Sequence, residues 1–506
     1  MLKTINKSRW TGFAFIGMIF LFFLFFFSKL YPIVISTVDD YYALANHRHV
    51  FPTWHGSQPI RVFAEVFMPL ASQGASLLFR LFGGNIFDDL TFGYALCVAA
   101  AMAGLAGVLY HMFRKAGVPA LQTCAGLVIF LLMHFWIFKQ RQQDGNLYML
   151  YTEYACTYFY YVIPNLMNCI LVVWFHTDRD IHELFKPGKY LKKSLFVLFA
   201  YFCIFSNIWA GAILAVYLGV RLVSDGFAAI RGKKGFRGWI RENYVILLLL
   251  IVWLVSQVFE MNGVRAAGIG LSISETFGNI WDAAIRMLRM ANIRYALFCG
   301  LVMVGGLVSF IIHKDWKNLA LIGKFFAALV LFIVYFLLSC SKVGTYYVDG
   351  RPDVFYGAFF FGGVMVLICL FELLKSIPAA KLVLPFLLLF ILVECNSMGR
   401  TYKDSVVSFR GETLEQHRRV NQDILDQLQQ AETAGLRETK VYVPDYGNAD
   451  NWPYATYGDE QISKCFYKFG ALKEEITITE IVPDWRKNKE FGIALNYVPD
   501  DPEYTE

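Results

Sequence analysis

The stretch WTGFAFIGMIFLFFLFFFSKLYPIVIS, residues 10–36, carries a single charge, on Lys29, among apolar and aromatic side chains. A helix needs roughly 17–25 apolar residues to cross the hydrocarbon core of a bilayer, so this stretch is long enough. It is too long and too uniformly apolar for a cleaved signal peptide, and Tyr31-Pro32 is a poor cleavage site because such sites need small residues. The sequence therefore predicts a retained membrane-spanning helix here.

Apolar stretches of similar length recur along the chain. They lie near 91–113, 118–138, 155–175, 243–259, 293–312, 318–340, 354–374 and 378–395, and a longer, broken one covers 190–222. Of the 506 residues, 57% are hydrophobic and only 17% are charged, which is too apolar for ordinary soluble domains. We therefore expect an all-α polytopic membrane bundle over residues 1–400.

Cysteine usage and net charge argue against a disulfide-stabilised protein and against a nucleic-acid-binding protein. Nearly all cysteines lie inside apolar stretches, where a free cysteine behaves as a small hydrophobe, and only Cys465 lies in the polar C-terminal part. No disulfide framework is therefore predicted. The net charge of +6 is modest and gives no support for nucleic-acid binding.

Lysine and arginine cluster between the apolar stretches, and such clusters usually remain in the cytoplasm. The clusters lie at residues 3–9, 114–115, 186–193, 231–241, 314–317 and 375–381. They fall on one side only if 190–222 crosses twice, as a hairpin with its tip near Ser206-Asn207. This assignment predicts about eleven spanning helices and a cytoplasmic N-terminus. The external segments are then 37–90, 139–154, 260–292 and 341–353, plus a tail from about residue 396.

Two adjacent carboxylates, Asp39 and Asp40, follow the first helix. Carboxylates near apolar surroundings are costly unless they are solvated, paired or used, and adjacent ones raise one pKa toward the range of a general acid or base. The alternative is structural, because Thr37-x-x-Asp40 is a possible capping box for a helix that begins at Val38. These residues by themselves favour neither interpretation.

The remainder of the first external segment contains a second helical pattern and three histidines. Residues 61–82 predict an amphipathic helix that lies on the membrane. His47, His49 and His55 could ligate a divalent metal together with the aspartates, but histidines on a wet loop are more often polar surface. No metal site is therefore assigned, and a divalent metal stays only a possible cofactor.

From residue 401 to residue 506 the long apolar runs stop and charged residues increase. Residues 412–434 predict a polar helix, 440–444 a strand, 460–469 a helix and 476–482 a second strand. This order predicts a small external α/β domain. The sequence contains neither a GxGxxG motif nor a P-loop, so no nucleotide site is predicted.

Several of these features together resemble the GT-C superfamily of membrane glycosyltransferases. They are the Asp-Asp pair with aromatic residues behind it, Trp54-His55-Gly56 followed by Arg61, the amphipathic helix, the number of spans and the external tail. More narrowly, the chain resembles bacterial multipass families related to O-antigen glucosyltransferases. The resemblance implies a protein of the bacterial inner (plasma) membrane. It also implies transfer of a sugar, with inversion, from a polyprenyl-phosphate donor to a glycan or lipid acceptor.

The resemblance assigns roles to individual residues. Asp39 or Asp40 would be the general base that takes the proton of the acceptor hydroxyl. Donor and acceptor binding would fall to Tyr41, Trp54, Arg61, Asp144, Glu153, Tyr154, Asn207, Arg265, Lys342 and Arg351. The cationic residues among them would stabilise the departing phosphate, although any one of them could equally anchor the chain at the lipid headgroups.

Two other functions compete with this one. A transporter or flippase should show charged residues within its spans and internal repeats, but the spans are nearly free of charge and no repeat is detectable. An O-antigen ligase or polymerase would be favoured by one dominant arginine-rich external loop rather than by an acidic pair after the first helix. The glycosyltransferase is therefore the leading hypothesis.

Overall fold

The computed structural model describes residues 2–46, 48–138, 147–152, 154–177, 185, 188–232, 235–264, 272–343, 351–397, 412–495 and 497–499. Most of these residues are helical. Nine helices within the described ranges are long and apolar enough to cross a membrane. They are Trp10–Leu30, Val62–Phe82, Ile86–Lys115, Ala155–Thr177, Ile208–Arg231, Phe236–Met261, Ile293–Ile312, Trp316–Ser341 and Pro352–Ser376. The chain therefore forms a multi-pass, membrane-type helical bundle.

Three further apolar helices complete the bundle, at Ala120–Trp136, Tyr190–Ile204 and Ala380–Ser397. The broken region 190–222 is indeed two helices, because the chain leaves helical geometry between Ile204 and Ile208. The Asn207 side chain accepts a hydrogen bond from the Trp209 amide at 2.8 Å and so caps the second helix. Its amide nitrogen donates to the Tyr160 carbonyl at 3.3 Å. The predicted division of 190–222 into two helices near Ser206-Asn207 is confirmed.

Helix Val62–Phe82 starts and finishes at the same end of the bundle. At its beginning, the Phe63 amide donates to the carbonyl of Phe205, at the hairpin tip, over 3.0 Å. Near its other end, the Arg80 guanidinium donates to the carbonyl of Phe469, in the C-terminal tail, over 3.2 Å. Its length and composition would allow it to span, but these contacts lay it across the end of the bundle that carries the tail.

Helix Ile273–Met290 also returns to that end. Just before it, the Val264 amide donates to the Gly56 carbonyl at 2.9 Å, and just after it Asn292 donates to the Trp136 carbonyl at 3.1 Å. Ile273, Phe277, Trp281 and Leu288 leave an apolar face of the helix exposed. Residues 260–292 were expected to be an external loop, so this amphipathic helix is a difference from the sequence analysis.

Glycines allow the central helices to approach closely. A Cβ atom on Gly126 would lie 2.5 Å from the Phe371 ring, and one on Gly363 would lie 2.6 Å from the Phe130 ring. Helix association in a membrane depends on such packing because lipid supplies no hydrophobic driving force between helices. The two glycines therefore fix how helix Pro352–Ser376 lies against helix Ala120–Trp136.

The tail folds in the predicted order. It contains helix Leu414–Thr433, strand Glu438–Val443, helix Asp459–Lys468, strand Thr477–Pro483 and helix Trp485–Phe491. The two strands pair in parallel, with Val441 opposite Ile481. Two parallel strands need a crossover connection, and helix Asp459–Lys468 lies within it. The same helix packs against the short acidic helix Val38–Ala45, which connects the tail to the bundle.

Candidate functional site

The acidic helix Val38–Ala45 begins at the predicted residue and for the predicted reason. Thr37 is its N-cap, and the Thr37 hydroxyl oxygen accepts from the Asp40 amide at 3.4 Å. Asp39 and Asp40 both lie in the first turn, where negative charge stabilises the helix dipole. The predicted N-cap is therefore confirmed, but the reciprocal bond of a capping box is not formed, because the Asp40 carboxylate accepts from the Ser36 amide rather than from the Thr37 amide.

The two aspartates have different surroundings, because neighbouring residues on a helix point about 100° apart. Asp40 is fully buried, whereas Asp39 is exposed. One Asp40 carboxylate oxygen accepts from the Ser36 amide at 2.8 Å, and the other accepts from the Cys156 amide at 2.7 Å. Asp40 therefore joins the acidic helix to the N-terminus of helix Ala155–Thr177, which is a structural role.

Burial raises the pKa of Asp40 from 3.8 to about 6, although the amides of Ser36 and Cys156 oppose this by stabilising the carboxylate. The charge of Asp39 also raises this pKa, but it is the smallest of the causes. The adjacent carboxylate was the cause of a raised pKa predicted from the sequence. Desolvation dominates instead, because the Asp40 side chain has no access to water.

The tail encloses the acidic helix on the side away from the bundle. The Val38 amide donates to the Pro453 carbonyl at 3.1 Å. The hydroxyl of Tyr41, which is fully buried, donates to the Asn421 side chain at 2.7 Å. Asn421 in turn donates to the Ile35 carbonyl at 2.6 Å. Tyr41, a predicted binding residue, therefore lies inside the contact between tail and bundle.

Two arginines that are distant in sequence share one tyrosine ring. The Arg61 guanidinium donates to the Tyr161 hydroxyl at 3.2 Å, and its central carbon lies 5.1 Å from the centre of the Tyr160 ring. The central guanidinium carbon of Arg351 lies 4.5 Å from the centre of the Tyr161 ring. We call Arg61, Tyr161 and Arg351 the arginine cluster. The sequence analysis predicted both arginines, and the fold brings them together.

Tyr161 of the cluster and the neighbouring Tyr160 belong to a π-helical turn, Tyr158–Val162, within helix Ala155–Thr177. Such turns often occur at functional sites because they redirect side chains within a helix. The Tyr161 ring also stacks on Trp209, at 6.0 Å between ring centres. The hairpin tip, the π-helical turn and the start of helix Pro352–Ser376 therefore meet around the cluster.

A carboxylate binds the Arg351 end of the cluster, and an ion pair supports the loop before Arg61. Arg351 binds Asp353 through two hydrogen bonds, of 2.9 and 2.8 Å, and a fifth of the Arg351 side chain stays exposed. Glu65 forms an ion pair of 2.8 Å with Arg48. Arg48 also donates to the carbonyl of Gln58 at 2.5 Å, which holds the loop before Arg61 in place. Glu65 was not predicted from the sequence, although it lies one helical turn after Arg61 in an otherwise apolar segment.

Asp39 and the arginine cluster lie near the same end of helix Ala155–Thr177. Asp39 is next to Asp40, which accepts from the Cys156 amide. Tyr160 and Tyr161, whose rings contact Arg61 and Arg351, follow Cys156 by about one helical turn. An exposed carboxylate and two guanidinium groups therefore lie around the N-terminus of helix Ala155–Thr177.

The other predicted residues fall into two groups. Trp54 packs on Phe259, at 5.1 Å between ring centres, and Tyr154 contacts Trp452 of the tail, at 6.2 Å. Asp144, Glu153, Arg265 and the side chain of Lys342 lie outside the described residues. The contacts of Trp54 are typical of an anchor at the end of a spanning helix, whereas Tyr154 faces the tail.

The described residues show no group of three or more His, Cys, Asp or Glu side chains that could hold a metal ion. His47, one of the three candidate histidines, lies outside the described residues. The chemistry available from the described site is that of a carboxylate, two guanidinium groups and tyrosine hydroxyls.

A cavity of about 1160 Å³ lies at the opposite end of the bundle. Charged side chains of both signs line it, among them Lys115, Arg221, Asp225, Glu242, Asp315, Lys317, Lys324, Glu372 and Lys375. Glu372 is buried and accepts from the hydroxyls of Ser309 and Ser376, at 3.0 and 2.6 Å. It is an exception to the expectation that the spans contain almost no buried charge.

No protein-family model, no curated protein and no solved structure matches this chain. Its function therefore has to be inferred from its own residues. The arrangement around Asp39 and the arginine cluster is the strongest starting point, because it combines exposure, charge and contacts between segments distant in sequence.

Proposed function

We propose that this chain is a membrane glycosyltransferase that uses a polyprenyl-phosphate sugar and transfers the sugar, with inversion, to an acceptor hydroxyl at the tail-bearing end of the bundle. The single observation that carries the proposal is that the exposed Asp39 carboxylate and the arginine cluster lie near the same end of helix Ala155–Thr177. Acid–base chemistry at an acceptor and charge stabilisation at a phosphate require these two kinds of group near each other. The resemblance to GT-C enzymes points the same way.

In the proposed reaction, the Asp39 carboxylate takes the proton from the acceptor hydroxyl. The acceptor oxygen then bonds to the anomeric carbon while the bond from that carbon to the phosphate oxygen breaks. The electron pair of the broken bond stays on the phosphate, which gains negative charge. Arg61 and Arg351 stabilise that charge, because a guanidinium fork matches the geometry of phosphate oxygens.

Asp40 is not the base in this scheme. Both of its oxygens accept buried amide hydrogen bonds, so an acceptor could reach neither without breaking the connection to Cys156. Its role is to position the acidic helix, and thereby Asp39. The proposal therefore assigns the role of base to Asp39.

The proposal requires a topology in which the tail and the site share the external side. Eleven helices then cross, with Val62–Phe82 and Ile273–Met290 lying at the external surface. The crossing helices are Trp10–Leu30, Ile86–Lys115, Ala120–Trp136, Ala155–Thr177, Tyr190–Ile204, Ile208–Arg231, Phe236–Met261, Ile293–Ile312, Trp316–Ser341, Pro352–Ser376 and Ala380–Ser397. Their basic ends, such as Arg114-Lys115, then face the cytoplasm. Labelling of an Asp450→Cys variant by a membrane-impermeant thiol reagent from the cytoplasmic side alone would exclude this topology.

The activity test uses purified protein and defined polyprenyl-phosphate sugars, with consumption of each donor measured. Asp39→Asn should abolish transfer, since an amide cannot accept the proton. Asp426→Asn is the matched control, because Asp426 is an exposed carboxylate on the tail helix Leu414–Thr433. Full transfer by Asp39→Asn would refute the assignment of the base.

Transport is a second candidate function, and the cavity at the opposite end favours it. Transport needs a path between that cavity and the arginine cluster. Five buried phenylalanine rings occupy the space in between, each contacting the next at 6.1–6.5 Å between centres. They are Phe325, Phe361, Phe332, Phe336 and Phe355. Movement of a labelled lipid across proteoliposomes without consumption of a sugar donor would establish transport instead.

A further inference from the structure

The backbone of the tail touches the acidic helix at one glycine. A Cβ atom on Gly458 would overlap the Val38 side chain, so this approach requires glycine. The Val38 amide also donates to the Pro453 carbonyl at 3.1 Å. Since Asp39 follows Val38 and Tyr457 precedes Gly458, these contacts bring Asp39 and Tyr457 together.

The tail loop that makes this contact is held by the side chains of two asparagines, the buried Asn451 and the half-buried Asn448. Asn451 accepts from the Tyr446 amide at 2.9 Å and donates to the carbonyls of Pro444 and Tyr454, at 3.1 and 3.2 Å. Asn448 accepts from the Trp452 amide at 3.0 Å. These bonds fix the loop backbone, so the side chains that it presents are positioned in advance of any ligand.

The same loop also presents side chains to solvent around Asp39. Tyr457 is 58% exposed, Asp450 is exposed, and Trp452 is half-buried with its ring near Tyr154. Burial, followed by the charges of Asp39 and Asp450, raises the pKa of Tyr457, which is consistent with all three groups facing one space. The result is an aromatic surface bordered by two carboxylates.

We propose that Asp450, Trp452 and Tyr457 form the acceptor site, and that the acceptor is a sugar that carries no negative charge. This inference rests on the proposed function. The C–H bonds on one face of a pyranose ring carry a slight positive charge and pack against the negative face of an aromatic ring. Carboxylates accept hydrogen bonds from sugar hydroxyls. The charges of Asp39 and Asp450 repel phosphorylated or uronic-acid acceptors.

In this arrangement the donor and the acceptor bind on different sides of Asp39. The arginine cluster, which comes from the bundle, binds the phosphate of the donor, and the tail loop binds the acceptor sugar. Asp39 lies on the acidic helix, which the tail holds through the Val38 amide and helix Ala155–Thr177 holds through Asp40. The tail thereby becomes part of the enzyme site and determines which acceptor is used.

The test compares Tyr457→Ala and Trp452→Ala with Tyr467→Ala, a control at a tail tyrosine that is 46% exposed on helix Asp459–Lys468. Loss of one aromatic contact should raise the KM for a neutral sugar acceptor about tenfold. The KM for the donor and the hydrolysis of the donor by water should not change. Tyr457→Phe should behave like the unaltered chain, since it keeps the ring.

A second measurement does not depend on catalysis. Binding of a neutral glucose trisaccharide to the full chain, without donor, should weaken in Tyr457→Ala and not in Tyr467→Ala. A trisaccharide with a uronic acid should bind more weakly than the neutral one. If Tyr457→Ala and Trp452→Ala both kept the acceptor KM and the trisaccharide binding of the unaltered chain, the acceptor site would be overturned. Absence of any donor cleavage by the unaltered chain would instead overturn the proposed function.

Discussion

Replacement of Asp40 by alanine tests the structural role of this carboxylate. The change removes both acceptors and leaves the Ser36 and Cys156 amides without partners in a site that water does not reach. Each unpaired buried donor costs about 1–3 kcal/mol, so the free energy of unfolding should fall by about 2–6 kcal/mol. Reversible unfolding by SDS in mixed micelles would measure it.

Asp39→Ala is the matched comparison, because it removes the neighbouring carboxylate from an exposed position. Exposed substitutions change stability by about 0.5 kcal/mol or less, so this variant should unfold like the unaltered chain but lose sugar transfer. The reasoning would be refuted if Asp40→Ala were as stable as the unaltered chain. It would also be refuted if the losses of stability and activity were exchanged between the two variants.

Three further predictions follow from the site. Arg61→Ala and Arg351→Ala should each lower kcat roughly 100-fold in the donor-consumption assay. A kcat equal to that of the unaltered chain in both variants would exclude phosphate stabilisation by the cluster. The raised pKa of Asp40 favours its protonated form in the folded state, so the stability that this contributes is present below about pH 4 and is lost as pH rises through about 6. The stability of the unaltered chain relative to Asp40→Asn should therefore fall by roughly 3 kcal/mol across that range, measured by SDS titration at each pH. Gly458→Ala should crowd the Val38 side chain of the acidic helix and loosen the tail. Limited proteolysis should then cleave the tail faster than in the unaltered chain. An unchanged rate of proteolysis would show that the contact at Gly458 is not close.

The spanning helices could be predicted because each is a contiguous apolar run, and contiguous runs are visible without tertiary information. Helix Ile293–Ile312 even matches the predicted bounds. Helix Ile273–Met290 was not predicted, because it contains no contiguous apolar run. Its apolar residues recur about every four positions between charged ones, so no window is apolar as a whole.

The site was predictable in its residue types but not in its contacts. Asp39, Asp40, Arg61 and Arg351 could be named from charge and position alone. The difference between the two aspartates depends on the amide of Cys156, which is 116 positions away from Asp40. Pairing across such a separation leaves no trace in a single sequence, because a backbone amide is present at every residue except proline.

The division of labour between Asp39 and Asp40 follows from helix geometry once the acidic helix is held on both sides. A helix of eight residues has little stability of its own, so its orientation must come from tertiary contacts. Asp40 supplies the contact with the bundle, and Val38 and Tyr41 supply the contacts with the tail. With those three residues fixed, the helix also holds the exposed Asp39 in a defined position. A carboxylate that must meet an acceptor at the moment a phosphate departs needs this kind of positioning, because misplacement by about 1 Å can cost 100-fold in rate. The buried aspartate is therefore as necessary to the proposed reaction as the exposed one, although it never contacts a substrate.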